Sequence, residues 1–158
     1  FRTGLVFASR PPYIGGMSIH LIKLSVGPES LADLINWQAD HLKAAARGKR
    51  LAELMHVTRQ MPKRAEELLQ GGSIYWVIKG FICARQKLLE LRPLTREGVP
   101  HCGLVLDHEI VRVQPRPRRP FQGWRYLEPE DAPPDLRKGK GDELPEELLR
   151  ELAQFGIL

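Results

Sequence analysis

The stretch SIYWVIKGFICARQKLLELRPL, residues 73–94, decides the fold. Its apolar residues recur at alternate positions, the period of a strand with at least one face turned to a core. SIYWVIKG predicts one strand, Lys79-Gly80 a turn or bulge, and FICARQKLLELRPL a second strand, with a loop over Thr95 to Pro100. Phe81, Ala84, Lys87 and Leu88 also fall at helical spacing, so Phe81 to Leu91 has a helix as its alternative; strand is preferred. Neighbouring residues of a strand face opposite sides, which separates Tyr75 from Trp76. One of the two belongs to the core, and the other covers a possible cleft beside Lys79 and Arg85.

The chain before this stretch opens as β-α-β-α. Ser18 to Ser25 alternates as a buried strand and ends at Gly27-Pro28. Leu31, Leu34, Ile35, Gln38 and Leu42 then recur at helical spacing. Ser30 is placed to cap that helix, Asp33 supplies the acid three positions on, and Gly48 ends it. LMHVTR, residues 54–59, predicts a second strand. KRAEELLQ after Pro62 predicts a short helix stopped by Gly71-Gly72.

Beyond residue 94 the signals thin out. His101 to Leu106 and Glu109 to Val113 predict one long strand or a broken pair. Pro115, Pro117 and Pro120 then remove amide donors, which predicts an extended, polyproline-like arm over 112–120 with an aromatic anchor over 121–126. Phe121 and Trp124 are expected to be buried. Residues 128–143 carry Pro129, Pro133, Pro134 and many charges and are expected to be a linker. An amphipathic helix is expected over 144–158.

Length and composition set the frame. The 158 residues suit one ordinary domain, which buries roughly 70% of the surface of its unfolded chain. The fold class expected is α+β: a small mixed or barrel-like sheet of about five or six strands, two helices packed on it and a short C-terminal helix. The domain is expected over residues 17–127. Residues 1–16 are set apart as a doubtful extension, because Met17 opens a plausible natural start. The longest mostly apolar run, Ile74 to Ala84, is broken by Lys79 and falls short of the roughly 20 residues a membrane helix needs. Cys83 and Cys102 have no CxxC spacing, so a reduced, cytoplasmic setting is expected, with no membrane partner.

The net charge of +5 is mild, but its distribution is uneven. In RVQPRPRRPFQGWRYL, Arg112, Arg116, Arg118, Arg119 and Arg125 occur with no acidic residue, and Phe121, Trp124 and Tyr126 lie among them. Guanidinium forks bind phosphate and aromatic faces stack on unpaired bases, so RNA or another polyanion is the partner this mixture suits. The plainer alternative is an arm pinned to its own domain, its arginines paired with surface carboxylates. Arg59, Lys63 and Arg64 form a second basic group that would join the first into one patch, or else serve as an ordinary polar helix face beside Glu66 and Glu67.

Chemical motifs are otherwise lacking. GGSIYWVIKG has neither the GxxxxGK[ST] spacing of a phosphate loop nor a helix after it. His101, Cys102, Asp107 and His108, with Cys83, match no zinc spacing, and His20 and His56 stand near no nucleophile elbow. No metal and no cofactor is expected. An enzyme acting on a nucleotide or modified nucleic acid, with Lys79, Arg85 or His108 in a cleft, is one alternative to a binding module. A protein interaction module built on the RPRRP stretch is the other.

HVTRQMPKRAEELLQGGSIYWVIKGFICARQKLLELRP (56–93), LVLD (104–107) and RPRRPFQGWRYL (116–127) together resemble a bacterial family catalogued as domain of unknown function 1489. The resemblance runs from Met17 to about Leu136, favours Met17 as the start, leaves the tail outside it and implies no activity. More loosely, KRAEELLQGG ahead of IYWVIKGFICARQKLLEL is similar in pattern to PUA-like RNA-binding barrels, an analogy of fold alone.

Overall fold

A computed structural model describes residues 18–136. The flanking stretches 1–17 and 137–158, including the expected C-terminal helix, lie outside the described residues. Seven strands and two helices follow in the order β1 (His20–Leu24), α1 (Leu31–Arg47), β2 (Leu54–Thr58), α2 (Ala65–Leu68), β3 (Ser73–Ile78), β4 (Phe81–Arg96), β5 (Val99–Leu106), β6 (Val111–Pro117) and β7 (Trp124–Leu127). The class is α+β with the sheet dominant. No helix among the described residues is long and apolar enough to cross a membrane.

The β3–β4 hairpin is the spine. Lys79 (φ 49°) and Gly80 (φ 83°) both take left-handed backbone, the two-residue turn whose twist suits adjoining antiparallel strands. Glu97 (φ 51°) and Gly98 (φ 78°) repeat that geometry between β4 and β5, so the expected six-residue loop contracts to a tight turn. β4 is a strand throughout, and the helical alternative for Phe81 to Leu91 is not adopted. It is long enough to serve two sets of partners: its first part pairs with β3 and β6, its second with β5. Register shifts at Trp76/Val77, Ile82/Ala84 and Leu88/Glu90 accompany this change of partners.

Among the described residues the sheet runs β2-β5-β4-β3-β1-β7, with β6 on β4, and only the β1–β3 pair is parallel. It is mixed, as expected, but open rather than barrel-like, and has seven strands instead of five or six. The excess comes from the arginine segment. Backbone expected to run free as a polyproline arm is paired in β6, where Ile82 faces Arg116 and Phe81 faces Pro117. The stretch expected as an aromatic anchor forms β7, antiparallel to β1.

Both faces of the sheet are covered. On one, Leu21, Ile74, Trp76, Leu88, Leu91 and Leu104 pack with Leu31 and Leu34 of α1 and with Leu68 and Leu69. Ser30 caps α1 by accepting the Asp33 amide at 3.1 Å, and Gly48 closes its other end through the Ala44 carbonyl. Ile35, expected on the buried stripe, is exposed instead. α2 is a single turn, shorter than the expected helix. Gly72 follows it at a point where a Cβ would lie 2.4 Å from the Leu68 carbonyl oxygen and 2.5 Å from that of Ile19, a spacing only glycine permits.

On the opposite face Ile22, Tyr75, Val77, Ile82, Val113 and Leu127 form a second cluster, closed by Phe121 and Ala132. Tyr75 and Trp76 are therefore both core residues, one on each side. Residues 128–136, expected as the start of a linker, fold back as a strap. The Gln114 amide donates to the Pro134 carbonyl, the Leu136 amide to that of Arg112, and Arg85 holds Asp135 through two nitrogen–oxygen contacts of 2.8 and 2.6 Å.

Candidate functional site

The hairpin turn at Lys79-Gly80 marks one end of the sheet, and the arginine segment gathers there. The Arg118 amide donates to the Gly80 carbonyl at 2.8 Å, tying the chain leaving β6 to the turn. The Arg118 and Arg125 guanidiniums lie over the Phe121 ring, at 5.2 and 5.3 Å from its centre. Arg116 donates to the Asp131 carbonyl and Arg125 to that of Gln122. All these acceptors are neutral. Among the described residues the ion pairs involve Arg64, Arg85 and Arg92, and none involves Arg116, Arg118, Arg119 or Arg125. With Lys79 exposed at the turn, this end of the sheet is a strip of positive charge without carboxylate neutralisation among the described residues.

The aromatic residues of the segment are less available than the arginines. Phe121 and Trp124 are half-buried rather than buried. Trp124 donates its Nε1–H to the Gln60 carbonyl at 2.9 Å and meets Tyr126 edge-on, so its ring serves the domain's own packing. The exposed indole is elsewhere: Trp37 on α1, 60% accessible.

Trp37 stands at the rim of a cleft of about 350 Å³ between α1 and the sheet. Trp76 lines it with its indole nitrogen tied to Gln86, and Leu34, Leu54 and Leu106 supply apolar wall. Lys23, Gln38, His41 and His56 bring polar atoms, and among the described residues no carboxylate lines the cleft. Burial depresses the Lys23 ammonium from its usual range, and burial followed by the Lys23 charge pushes His56 down to about 4. His56 is neutral near pH 7, and its Nε2 is the buried side-chain nitrogen lacking a hydrogen-bond partner among the described residues.

The family model described as "Protein of unknown function (DUF1489)" matches residues 21–158. The chain belongs to this family. The match reaches the last residue, well past Leu136, so the tail is part of the DUF1489 region and not outside it. No curated protein and no solved structure matches the chain.

Within the DUF1489 region, the second basic group does not join the first. Trp124 and Tyr126 point from β7 toward residues 60–64, whereas Arg125 points to Phe121 on the other side. Arg64 lies there over the Tyr126 ring and is paired with Glu67 and Glu128; those carboxylates hold its ionisation well above the usual arginine range. Lys63 precedes it, and Arg59 lies by the β4–β5 turn, in a cleft with Arg96, Glu97 and His101. Arg112 sits in β6 opposite Ala84.

Lys79, Arg85 and His108 do not share a cleft. Arg85 is paired with Asp135 and donates to Ser73 Oγ, on the face that holds Tyr75, and opens on a cavity of about 220 Å³ that neither Lys79 nor His108 lines. His108 lies within hydrogen-bond distance of the Ala52 carbonyl, by β2. Cys83 and Cys102 are buried and outside any disulfide, and among the described residues no three metal-ligating side chains come together.

Sequence reasoning named the arginines of the strip and did not name the cleft. Its one visible signal was Trp37, a large aromatic residue off the apolar stripe of Leu31, Leu34, Gln38 and Leu42. Lys23, His56 and Trp76 are ordinary strand residues until α1 and β2 bring them together.

Proposed function

We propose that this protein is a binding module for single-stranded nucleic acid, RNA first among the candidates, held by its phosphates at the hairpin end of the sheet. One observation carries this function: Arg116, Arg118, Arg119 and Arg125 cluster there with no carboxylate partner among the described residues. Structural arginines are normally neutralised by their own chain, as Arg64, Arg85 and Arg92 are here. Of the four that find no such partner among the described residues, Arg116, Arg118 and Arg125 are held on a sheet end by backbone pairing or by Phe121 and offer preorganised forks for phosphate oxygens, with the exposed Arg119 beside them. The same pairing speaks against a proline-rich ligand for another protein's groove, because the β6 backbone is engaged with β4.

The test is equilibrium binding of a labelled oligoribonucleotide to the wild type and to the Arg118→Ala, Arg119→Ala double variant. Every phosphate that a guanidinium no longer neutralises lowers the log–log salt slope by about 0.7, so the double variant is expected to be shallower by about 1.4. Equal slopes for the two proteins would remove these arginines from the interface.

A further inference from the structure

We infer that the cleft under α1 is a second binding site, and that its ligand is a nucleotide: a planar heteroaromatic ring seated between indoles, with its phosphate on Lys23. Trp76 lines the inner part of the cleft and Trp37 its rim. Trp37 is positioned by the loop before α1. A Cβ on Gly27, whose φ is +109°, would come within 3.3 Å of the Trp37 ring, so ring and loop backbone are already in close approach. Trp76 is held by its Nε1–H donating to Gln86 Oε1 at 2.9 Å. Two indoles lining one largely apolar space suit a flat ring, whose stacking is worth about 1–3 kcal/mol per base at an aromatic side chain.

Charge decides between flat ligands. Paired aromatic residues also accommodate organic cations, but such sites do not carry an ammonium of their own. Here Lys23 lines the cleft, half-buried, with no carboxylate partner among the described residues and none in the lining. A charge withdrawn from water without a counter-ion is unfavourable, and an anionic ligand relieves that cost. The remaining polar atoms suit the edge of a base. Gln38 and Gln86 pair amide to amide, with both nitrogen–oxygen distances 2.8 Å. Gln38 keeps one N–H and one lone pair for a ligand.

The nucleotide has two possible sources, a free monophosphate or one residue of a strand. The cleft opens by Ser25 and Val26, past the end of β1, at the same end of the sheet as the arginine strip. Three strand spacings from β1 to β6 place the two about 14 Å apart, within reach of one strand.

Nucleoside 5′-monophosphates, the parent nucleosides and an oligoribonucleotide titrated into isotope-labelled protein test this inference. Saturable shifts are expected at Trp37, Trp76 and Lys23, with monophosphates binding more tightly than nucleosides. Trp37→Ala and Lys23→Met should each weaken binding by about tenfold. Trp37 is exposed, so its variant should fold even if the Lys23 variant does not. Monophosphate binding that survives Arg118→Ala, Arg119→Ala supports the cleft whatever becomes of the strip. If only the oligonucleotide binds, a loss on Trp37→Ala assigns the strand as the source. An oligonucleotide affinity indifferent to Trp37→Ala, with no monophosphate binding at millimolar concentration, overturns the inference and leaves the strip standing.

Discussion

Mild acid should destabilise this domain through His20. The ring is 2% exposed, its Nδ1 accepts the Ser73 amide proton at 3.0 Å, and Tyr75 meets it edge-on. Burial first, then the Arg85 charge, push its ionisation from 6.5 down to about 4, against a smaller upward pull from Asp135. The unfolded chain therefore takes up a proton near pH 6.5 that the folded chain refuses until about pH 4. Stability is full above the unfolded value and falls as pH drops through that window. From pH 7 to pH 5 the loss from His20 alone is about 2 kcal/mol. His56 is displaced in the same direction, mainly by burial, and adds to the loss. Urea unfolding of the wild type and of His20→Gln at both pH values measures it. The variant starts less stable, because a flexible amide replaces the buried ring that accepts the Ser73 amide and meets Tyr75, but its decline with acid should be smaller by about 2 kcal/mol. Equal declines, or a His20 ring titrating near 6.5 by NMR, would refute this account of the buried imidazole.

Two further expectations concern packing. Gly72→Ala should cost several kcal/mol, at least about 3, because the new methyl meets two backbone carbonyls that cannot move independently; thermal unfolding checks it. Gly103→Ala is the control: its Cβ would come within 2.6 Å of the Met55 sulfur, the end of a flexible side chain, and its cost should be visibly smaller. Cys102, fully buried and with its thiol pushed up to about 11 by burial, should resist alkylation at pH 8 in the native state and react only as fast as the chain unfolds.

Where local chemistry dictates structure, the fold was legible. Ser30 with Asp33, the Lys79-Gly80 turn and the alternation of SIYWVI each produce their element irrespective of distant contacts. The arginine segment was harder because proline in a strand depends on position in the sheet. Pro115 and Pro117 argue against a central strand, but among the described residues β6 pairs with β4 and is otherwise met only by the strap, an edge position that tolerates missing donors. No local pattern announces that strap, since Asp135 acquires meaning only opposite Arg85. The availability of the arginines was likewise hidden, because sequence shows which residues lack acidic neighbours along the chain but not which carboxylates fold back against them. Arg64 has Glu66 and Glu67 close by in sequence, but its second partner, Glu128, arrives only through the fold, whereas Arg118 is left on Phe121.

The most direct test of the central claim is the affinity of the wild-type protein for a short unstructured oligoribonucleotide across a range of salt concentrations. Engagement of the four guanidiniums predicts a log–log slope of about −3. A slope near zero, or no binding at the lowest salt, would contradict the assignment of this sheet end as a phosphate-binding surface.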